Sequence, residues 1–144
     1  MTNEEHYRKL ERMYASAPLN AHYKPTMRIS DGRAEVAIRV RRDLFHAANA
    51  VHGALYFKCL DDAAFFAVNS LVDDVFVLTV SFNLYLVRPI SAGEMKAIAR
   101  VVYRSRQLFV AEAEIVDQDG KEIGRGSGTF MRSAIPLSPE IGYE

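Results

Sequence analysis

Residues 52–72 read HGALYFKCLDDAAFFAVNSLV, and this stretch decides the fold. It has no proline, its only glycine is near the start, and alanine and leucine are frequent, so it predicts a helix of about five turns or more. The helix is apolar on nearly every side, which is typical of a helix enclosed by other structure. Asp61 lies in its middle, where an ionised carboxylate is costly unless it is paired or has a function.

The remaining sequence predicts antiparallel strands. A first short strand is expected around residues 27–29, and longer ones follow at 33–42, 75–87, 95–103, 107–116 and 121–132. Strands and helices do not alternate along the chain, so the sequence gives no indication of a parallel sheet. The pattern therefore predicts a single α+β domain over residues 1–144, with a curved antiparallel sheet of five or six strands around one long helix. Residues 1–18 are expected to form a short N-terminal helix, and residues 133–144 an extended tail.

Two strands have faces that stand out. In residues 75–87 the even positions are apolar, and the odd positions include Thr79, Ser81 and Asn83, which are expected to share one face. In residues 121–132 three glycines recur at every second position, which predicts close approach of another element, such as the central helix, to that face.

Composition excludes several classes of function. The chain carries 18 basic and 18 acidic residues, so no strong net field attracts nucleic acid or an anionic membrane. Its apolar runs are too short and too interrupted to span a bilayer, and no secretory signal is visible at the polar start. The only cysteine, Cys59, lies within the apolar helix, where it is expected to be a core residue of a cytoplasmic protein.

A family resemblance rests on the start of the central helix. His52-Gly53-Ala54, followed by an apolar run and by Asp61, resembles the HGG(x)6D signature of PaaI-type hotdog-fold thioesterases in the 4-hydroxybenzoyl-CoA thioesterase superfamily. The resemblance covers roughly residues 25–132 and includes Arg88-Pro89, a turn at residues 93–94 and the glycine-rich last strand. It implies a hotdog fold and an acyl-CoA thioesterase that needs no cofactor.

Three residues are the candidates for catalysis. Burial raises the basicity of a carboxylate, so Asp61 suits a general base or a nucleophile; the simpler alternative is a pair with Lys58 or a solvated edge. Gly53 starts the helix, where its N–H is free to polarise a substrate carbonyl. The resemblance implies that Thr79 positions the attacking water, although a threonine is also an ordinary strand residue.

The spacing of Gly53 and Asp61 predicts a dimer. Eight residues of helix separate them by about 12 Å, so one chain cannot bring both to the same carbon atom. Two antiparallel helices across a two-fold axis place Gly53 of one subunit near Asp61 of the other. The family is known for such a homodimer with shared sites, and a dimer of dimers is expected.

The weaker candidates surround the helix start. The family pattern has asparagine six residues before its histidine; here His46 occupies that position and Asn49 lies three residues nearer. His46 is a further catalytic candidate that could replace the asparagine as a hydrogen-bond donor, the alternative being a site altered in chemistry or ligand, and Asn49 is assigned to substrate binding. His52 is expected to fix the loop, and Ala54 replaces the second glycine of the signature. Further substrate contacts are assigned, with less support, to Ser81 and Asn83. The histidines lack metal-ligand spacing, so no metal site is predicted.

The aromatic side chains of the helix are expected to form the acyl pocket; they are Tyr56, Phe57, Phe65 and Phe66. The alternative to an enzyme is a non-catalytic hotdog module that binds acyl-CoA as a sensor or regulator. Four basic residues could contact the phosphates of coenzyme A, namely Arg104, Arg106, Lys121 and Arg125. For each of them, an ordinary solvated position on a strand face or turn is the preferred explanation.

Overall fold

A computed structural model describes all 144 residues. The helices are α1 (Asn3–Ser16), α2 (Pro18–Tyr23) and α3 (Gly53–Asn69), and two 3-10 turns occupy Arg42–Leu44 and Pro139–Ile141. The strands are β1 (Thr26–Ser30), β2 (Arg33–Arg39), β3 (Val75–Leu86), β4 (Glu94–Arg104), β5 (Leu108–Val116) and β6 (Glu122–Pro136). None of the helices has the length and apolar composition that crossing a membrane requires.

The six strands form one antiparallel sheet in the order β1-β2-β4-β5-β6-β3. The sheet curves around α3, which confirms the predicted fold class. Small residues on the inner side of α3 let the helix approach the sheet closely, and Cys59, Ala63 and Ala67 are fully buried there. Because this order leaves β1 and β3 at the edges, the long strand β3 has only β6 as its partner.

A β-bulge corrects the predicted faces of β3. Between Thr79 and Ser81 the register against β6 shifts by one residue. Before the bulge the odd positions face α3, with Val77 fully buried, and after it Phe82 takes the inner side. The prediction that Ser81 and Asn83 share the face of Thr79 is therefore wrong, because one extra residue reverses the alternation of a strand. Both side chains are exposed.

The glycines of β6 do leave room for a neighbouring element. A Cβ atom at Gly126 or Gly128 would lie within 2.6 Å of the ring of Phe82, which covers the inner side of β6. Only Gly124 lies near the central helix, where its added Cβ would be 3.5 Å from Tyr56. The strand neighbour β3, rather than α3 alone, therefore fills the space that the glycines leave.

The chain end differs from the predicted extended tail. Residues 133–136 continue β6 beside β3, and the 3-10 turn at Pro139–Ile141 precedes a buried Tyr143. The hydroxyl of Tyr143 lies 2.7 Å from Nδ1 of the buried His6, whose Nε2 is 2.9 Å from the carbonyl oxygen of Asn69. A tyrosine buries its ring readily once its hydroxyl has a partner, and this contact holds the end of the chain against α1 and α3.

Asn69 connects the end of α3 to the start of β3. Its amide donates to the carbonyl oxygens of Val72 and Val75 at 3.0 and 3.1 Å, and its side-chain oxygen accepts from the N–H of Val77 at 3.1 Å. The side chain is fully buried. Because β3 carries Thr79, this residue sets where a candidate site residue lies relative to α3.

Replacing Asn69 by alanine should destabilise the fold strongly. The change leaves three buried backbone groups without a partner, and an unpaired buried polar group costs about 1–3 kcal/mol. We expect the free energy of unfolding, measured by urea denaturation, to fall by about 3 kcal/mol. Asn83→Ala on the exposed face of β3 is the matched control and should change it by less than about 0.5 kcal/mol. Equal effects of the two substitutions would contradict the role of Asn69.

Candidate active site

Asp61 lies on α3 opposite β3, largely removed from solvent. Its Oδ1 accepts a hydrogen bond from Oγ1 of Thr79 at 2.9 Å. Burial raises the pKa of Asp61 to about 6, and the hydrogen bond from Thr79 opposes this rise because it stabilises the charged form. The structure therefore brings together two of the four predicted catalytic residues, Asp61 and Thr79, and it places a carboxylate of increased basicity beside a hydroxyl.

Lys58 does not pair with Asp61. Its ammonium group instead lies 2.8 Å from Oδ2 of Asp62, one turn along the helix, and both side chains are mostly buried, with 12% and 19% exposed. The same oxygen of Asp62 accepts from the hydroxyl of Tyr14 on α1 at 2.6 Å. The simpler interpretation of Asp61, a pair with Lys58, is thus excluded by the contacts, and Asp62 joins α1 to α3.

The helix start is held by His52. Its Nδ1 accepts from the N–H of Ala54 at 2.9 Å, and its carbonyl oxygen accepts from the N–H of Leu55 at 2.9 Å. The N–H of Gly53 belongs to the first turn, where the helix offers no acceptor. A Cβ atom on Gly53 would lie only 2.8 Å from a methyl group of Leu86, so a side chain there would displace its neighbour.

The loop before α3 keeps its two candidates away from Asp61 in the same chain. Nδ1 of His46 accepts from the N–H of Ala48 at 3.0 Å, and Asn49 adopts a positive φ of 63°. Both side chains are exposed. The catalytic role of His46 and the role of Asn49 in substrate binding stay predictions, since they concern a site shared with a second chain.

A cavity of about 640 Å³ opens beside Asp61 and Thr79. Aromatic rings form part of its wall, and the ring centroids of Phe65 and Phe76 are 4.9 Å apart. The other lining residues come from both ends of the chain and from α3: Met13, Tyr14, Ser16, Ala17, Pro18, Leu19, Asn20, Lys58, Asp62, Phe66, Ile135, Glu140, Ile141 and Gly142. The carboxylate thus lies at the edge of a largely apolar space.

Sequence reasoning found only part of this wall. Phe65 and Phe66 line the cavity as predicted, whereas Phe57 and Ala54 line a smaller neighbouring cavity of about 340 Å³ that also includes Asp61. Tyr56 is buried and donates from its hydroxyl to the carbonyl oxygen of Arg88 at 2.7 Å. The contributions from α1, α2 and the final 3-10 turn were missed, because no local pattern shows where terminal segments pack.

Other reactive groups do not add to the site. Cys59 is fully buried, and burial raises the pKa of its thiol to about 12, so it is a poor nucleophile. Histidine, cysteine, aspartate and glutamate side chains do not gather in groups of three or more with the geometry of a metal site.

Comparison with known proteins identifies the family. The family model of the thioesterase superfamily matches residues 48–123, which include α3, Asp61 and Thr79. The chain belongs to this superfamily. A sequence search of curated proteins finds no match.

Solved structures agree with the hotdog fold. The PaaI protein of the phenylacetic acid degradation operon of E. coli is 20% identical, with a TM-score of 0.86 over 96% of this chain and all of that one. A mutant of the phenylacetic acid degradation protein PaaI from Thermus thermophilus is 27% identical, with a TM-score of 0.73 over 81% of this chain and all of that one. A conserved protein from Pseudomonas aeruginosa is 26% identical, with a TM-score of 0.77 over 85% and 98%. The predicted resemblance to PaaI-type hotdog thioesterases is confirmed.

Removing the hydroxyl of Thr79 should raise the pKa of Asp61 above its value of about 6. Valine has the same shape but cannot donate the hydrogen bond that favours the carboxylate. Carbon-13 NMR of the labelled Asp61 carboxyl group over a pH series measures the shift in Thr79→Val. Ser81→Ala removes an outward-facing hydroxyl from the same strand and should leave the titration unchanged; a shift there as large as in Thr79→Val would refute the specific contact.

Proposed function

We propose that this protein hydrolyses the thioester bond of a fatty or aromatic acyl-CoA. Membership of the thioesterase superfamily gives the reaction class. The observation that carries the proposal is the isolated carboxylate of Asp61, hydrogen-bonded to Thr79 at the edge of an apolar cavity. The cavity suits an acyl group, and the carboxylate suits an attack on the carbon atom that joins this group to sulfur.

The reaction has two routes from Asp61. As a general base, the carboxylate takes a proton from water held near Thr79; the hydroxide attacks the carbonyl carbon, the C–S bond breaks and the proton passes to the thiolate. As a nucleophile, the carboxylate attacks the carbon itself and releases the thiolate, and water then hydrolyses the resulting anhydride. Both routes require the ionised acid and yield a carboxylic acid and free coenzyme A.

The site is completed by a second copy of the chain. Gly53 starts the helix that carries Asp61, and eight residues of rise separate the two by about 12 Å. In the dimer, the N–H of the partner subunit's Gly53 polarises the thioester carbonyl at Asp61, and the partner's His46, Asn49 and His52 belong to the same site. The unpaired edge of β3 supports this arrangement, since Leu78, Val80 and Leu86 on that strand are 46%, 56% and 49% exposed.

Further pairing of dimers is proposed from the outer face of the sheet. Leu78 lies opposite Met131, which lies opposite Leu108, so three exposed apolar side chains form a row across β3, β6 and β5. An exposed apolar row of this kind suits the contact between two dimers. A cytoplasmic location also stays a prediction, resting on the single buried cysteine.

The acyl group is proposed to be fatty or aromatic, and the aromatic choice has one further support. Two structural relatives are PaaI proteins associated in name with phenylacetic acid degradation. The rings of Phe65 and Phe76 here offer an aromatic wall of the right kind for an aryl group. A panel of phenylacetyl-, benzoyl-, hexanoyl- and dodecanoyl-CoA separates the two classes.

Asp61→Asn should abolish the release of free thiol from the preferred acyl-CoA. Loss of the general base or nucleophile is expected to lower kcat by at least about 100-fold. The assay is thiol release from the purified dimer, and Asp62→Asn is not a suitable control because it breaks the contact with Tyr14. Glu35→Gln, the same acid-to-amide change on the exposed face of β2 and outside the cavities beside Asp61, serves instead. Retained hydrolysis in folded Asp61→Asn refutes the catalytic role, whereas binding without turnover by the wild type indicates the acyl-CoA sensor.

The same variant should be more stable than the wild type at neutral pH. The pKa of Asp61 lies at about 6 in the folded chain, above its ordinary value of 3.8, so ionisation weakens the folded state. Above pH 6 the wild type bears the full cost of an ionised, buried Asp61, and asparagine removes this cost. As the pH falls to about 4, the wild-type carboxyl is protonated on folding, so the difference in stability between variant and wild type should disappear. Urea denaturation at pH 7.5 and pH 4 measures the difference, which also shows that lost activity is not lost folding.

Activity should depend on dimerisation. Dilution below the dissociation constant of the dimer is expected to remove hydrolysis in step with the dimer population, followed by mass photometry in the same samples. Charged residues at both Val80 and Leu78 should shift this transition to higher protein concentration, because they place charge on the exposed edge strand. A fully active monomer would contradict the shared site.

A further inference from the structure

Three cavities follow one another along α2, and this inference rests on the proposed acyl-CoA substrate. The cavity beside Phe65 and the smaller one beside Ala54 share Leu19, Lys58 and Asp61. A third cavity, of about 540 Å³, shares Tyr23 with the smaller one. The three cavities therefore lie in succession along α2, and Tyr23 borders both the second and the third.

The third cavity is basic. Lys24, Arg39 and Arg41 contribute positive charge to its lining, and Asp43 is its only carboxylate. Asp43 is already taken by Arg41, whose Nε lies 3.0 Å from Oδ1. Lys24 and Arg39 are exposed and form no salt bridge within the chain. The local surplus of charge contrasts with the overall balance of the chain and favours an anion.

Arg41 is held in place at this cavity. Its guanidinium donates to the carbonyl oxygens of His22 and Tyr23 at 3.1 and 3.3 Å as well as to Asp43. It thereby joins the end of α2 to the segment after β2 and fixes the walls between which Lys24 and Arg39 lie. A guanidinium and an ammonium group around one concave surface are the groups that bind phosphate oxygens in proteins.

The smaller cavity lies between the aromatic cavity and the basic cavity, and it suits the uncharged middle part of an acyl-CoA. Tyr23 and Leu19 on one side and Ala54 and Phe57 on the other line the smaller cavity, which is mostly apolar. Lys58 lies over the ring of Tyr23, with its Nζ 5.6 Å from the ring centroid, and so closes one side. An uncharged, flexible arm fits such a passage better than a phosphate does.

We propose that Lys24 and Arg39, on the surface that Arg41 holds together, bind the phosphate groups of coenzyme A. The pantetheine arm then runs along α2 past Tyr23, the thioester lies at Asp61, and the acyl group enters the aromatic cavity. Of the basic residues considered from the sequence, Arg125 is less available to an anion, because it is paired with Glu122.

The experiment compares two substrates that differ only in the nucleotide. Phenylacetyl-CoA and S-phenylacetyl-pantetheine carry the same acyl group, thioester and pantetheine arm, but the second lacks the adenine nucleotide and all of its phosphates. The test variant is Lys24→Ala/Arg39→Ala, which spares Arg41 because that residue joins α2 to the segment after β2. The matched control is Arg28→Ala/Arg33→Ala, which removes two exposed cations from β1 and β2 outside the cavity.

The test variant should raise KM for phenylacetyl-CoA by about tenfold, since two exposed charge contacts together change binding by about that factor. Its kcat for this substrate, and both constants for the truncated thioester, should match the wild type. Added salt should raise KM for the CoA ester less steeply in the test variant than in the wild type, because fewer charge contacts are left to screen. The control variant should behave as the wild type throughout.

Calorimetry with free coenzyme A separates this inference from the proposed function. Weaker binding by the test variant, with normal binding by the control, supports the phosphate site even if the wild type hydrolyses neither thioester; that result would overturn the enzyme alone. Hydrolysis of both thioesters with an unchanged KM for the CoA ester in the test variant overturns the phosphate site alone. The site is also overturned if KM rises equally for both substrates or if the wild type does not bind coenzyme A.

Discussion

One mostly buried cation lies beside two adjacent carboxylates, and its pairing determines which of the two has no counter-ion in contact. Lys58 pairs with Asp62, which also accepts from Tyr14, and Asp61 is left with a hydroxyl rather than a counter-ion. Burial can then raise the pKa of Asp61, because no positive charge lies in direct contact to oppose it. The hydrogen bond from Tyr14 to Asp62 ties α1 to α3 and so helps to build the cavity next to Asp61.

The bulge in β3 has a comparable influence on geometry. It allows Thr79 to point at Asp61 while Phe82, three residues later, also points inward and covers the glycines of β6. Without the extra residue, one of these two contacts would be lost, since alternation in a regular strand sends positions 79 and 82 to opposite faces. The bulge therefore lets the same strand contact Asp61 of α3 through Thr79 and pack closely against the glycines of β6 through Phe82.

The sequence predicted the fold well where pattern and packing agree. The apolar composition of α3 and the alternation in β2 follow directly from burial, and the helix and strands lie close to their predicted bounds. The faces of Ser81 and Asn83 were wrong, since a bulge leaves no clear signal in a run of apolar and small polar residues. In the site, Asp61 and Thr79 were found from spacing and resemblance. The pairing of Lys58 with Asp62 rather than with Asp61 was not predicted from the sequence. Asp62 also accepts a hydrogen bond from Tyr14, which lies on α1, far away along the chain.

Much of the wall of the cavity beside Asp61 is formed by segments that lie outside the sheet. Residues 13–20 precede β1 and residues 140–142 follow β6, and His6 with Tyr143 fastens these flanking segments to each other. The carboxylate, in contrast, is built into the core helix. Under the proposed function, reaction and selectivity would reside in separable portions of the molecule, and changes in the flanking segments would alter the preference for an acid without altering the helix that carries Asp61.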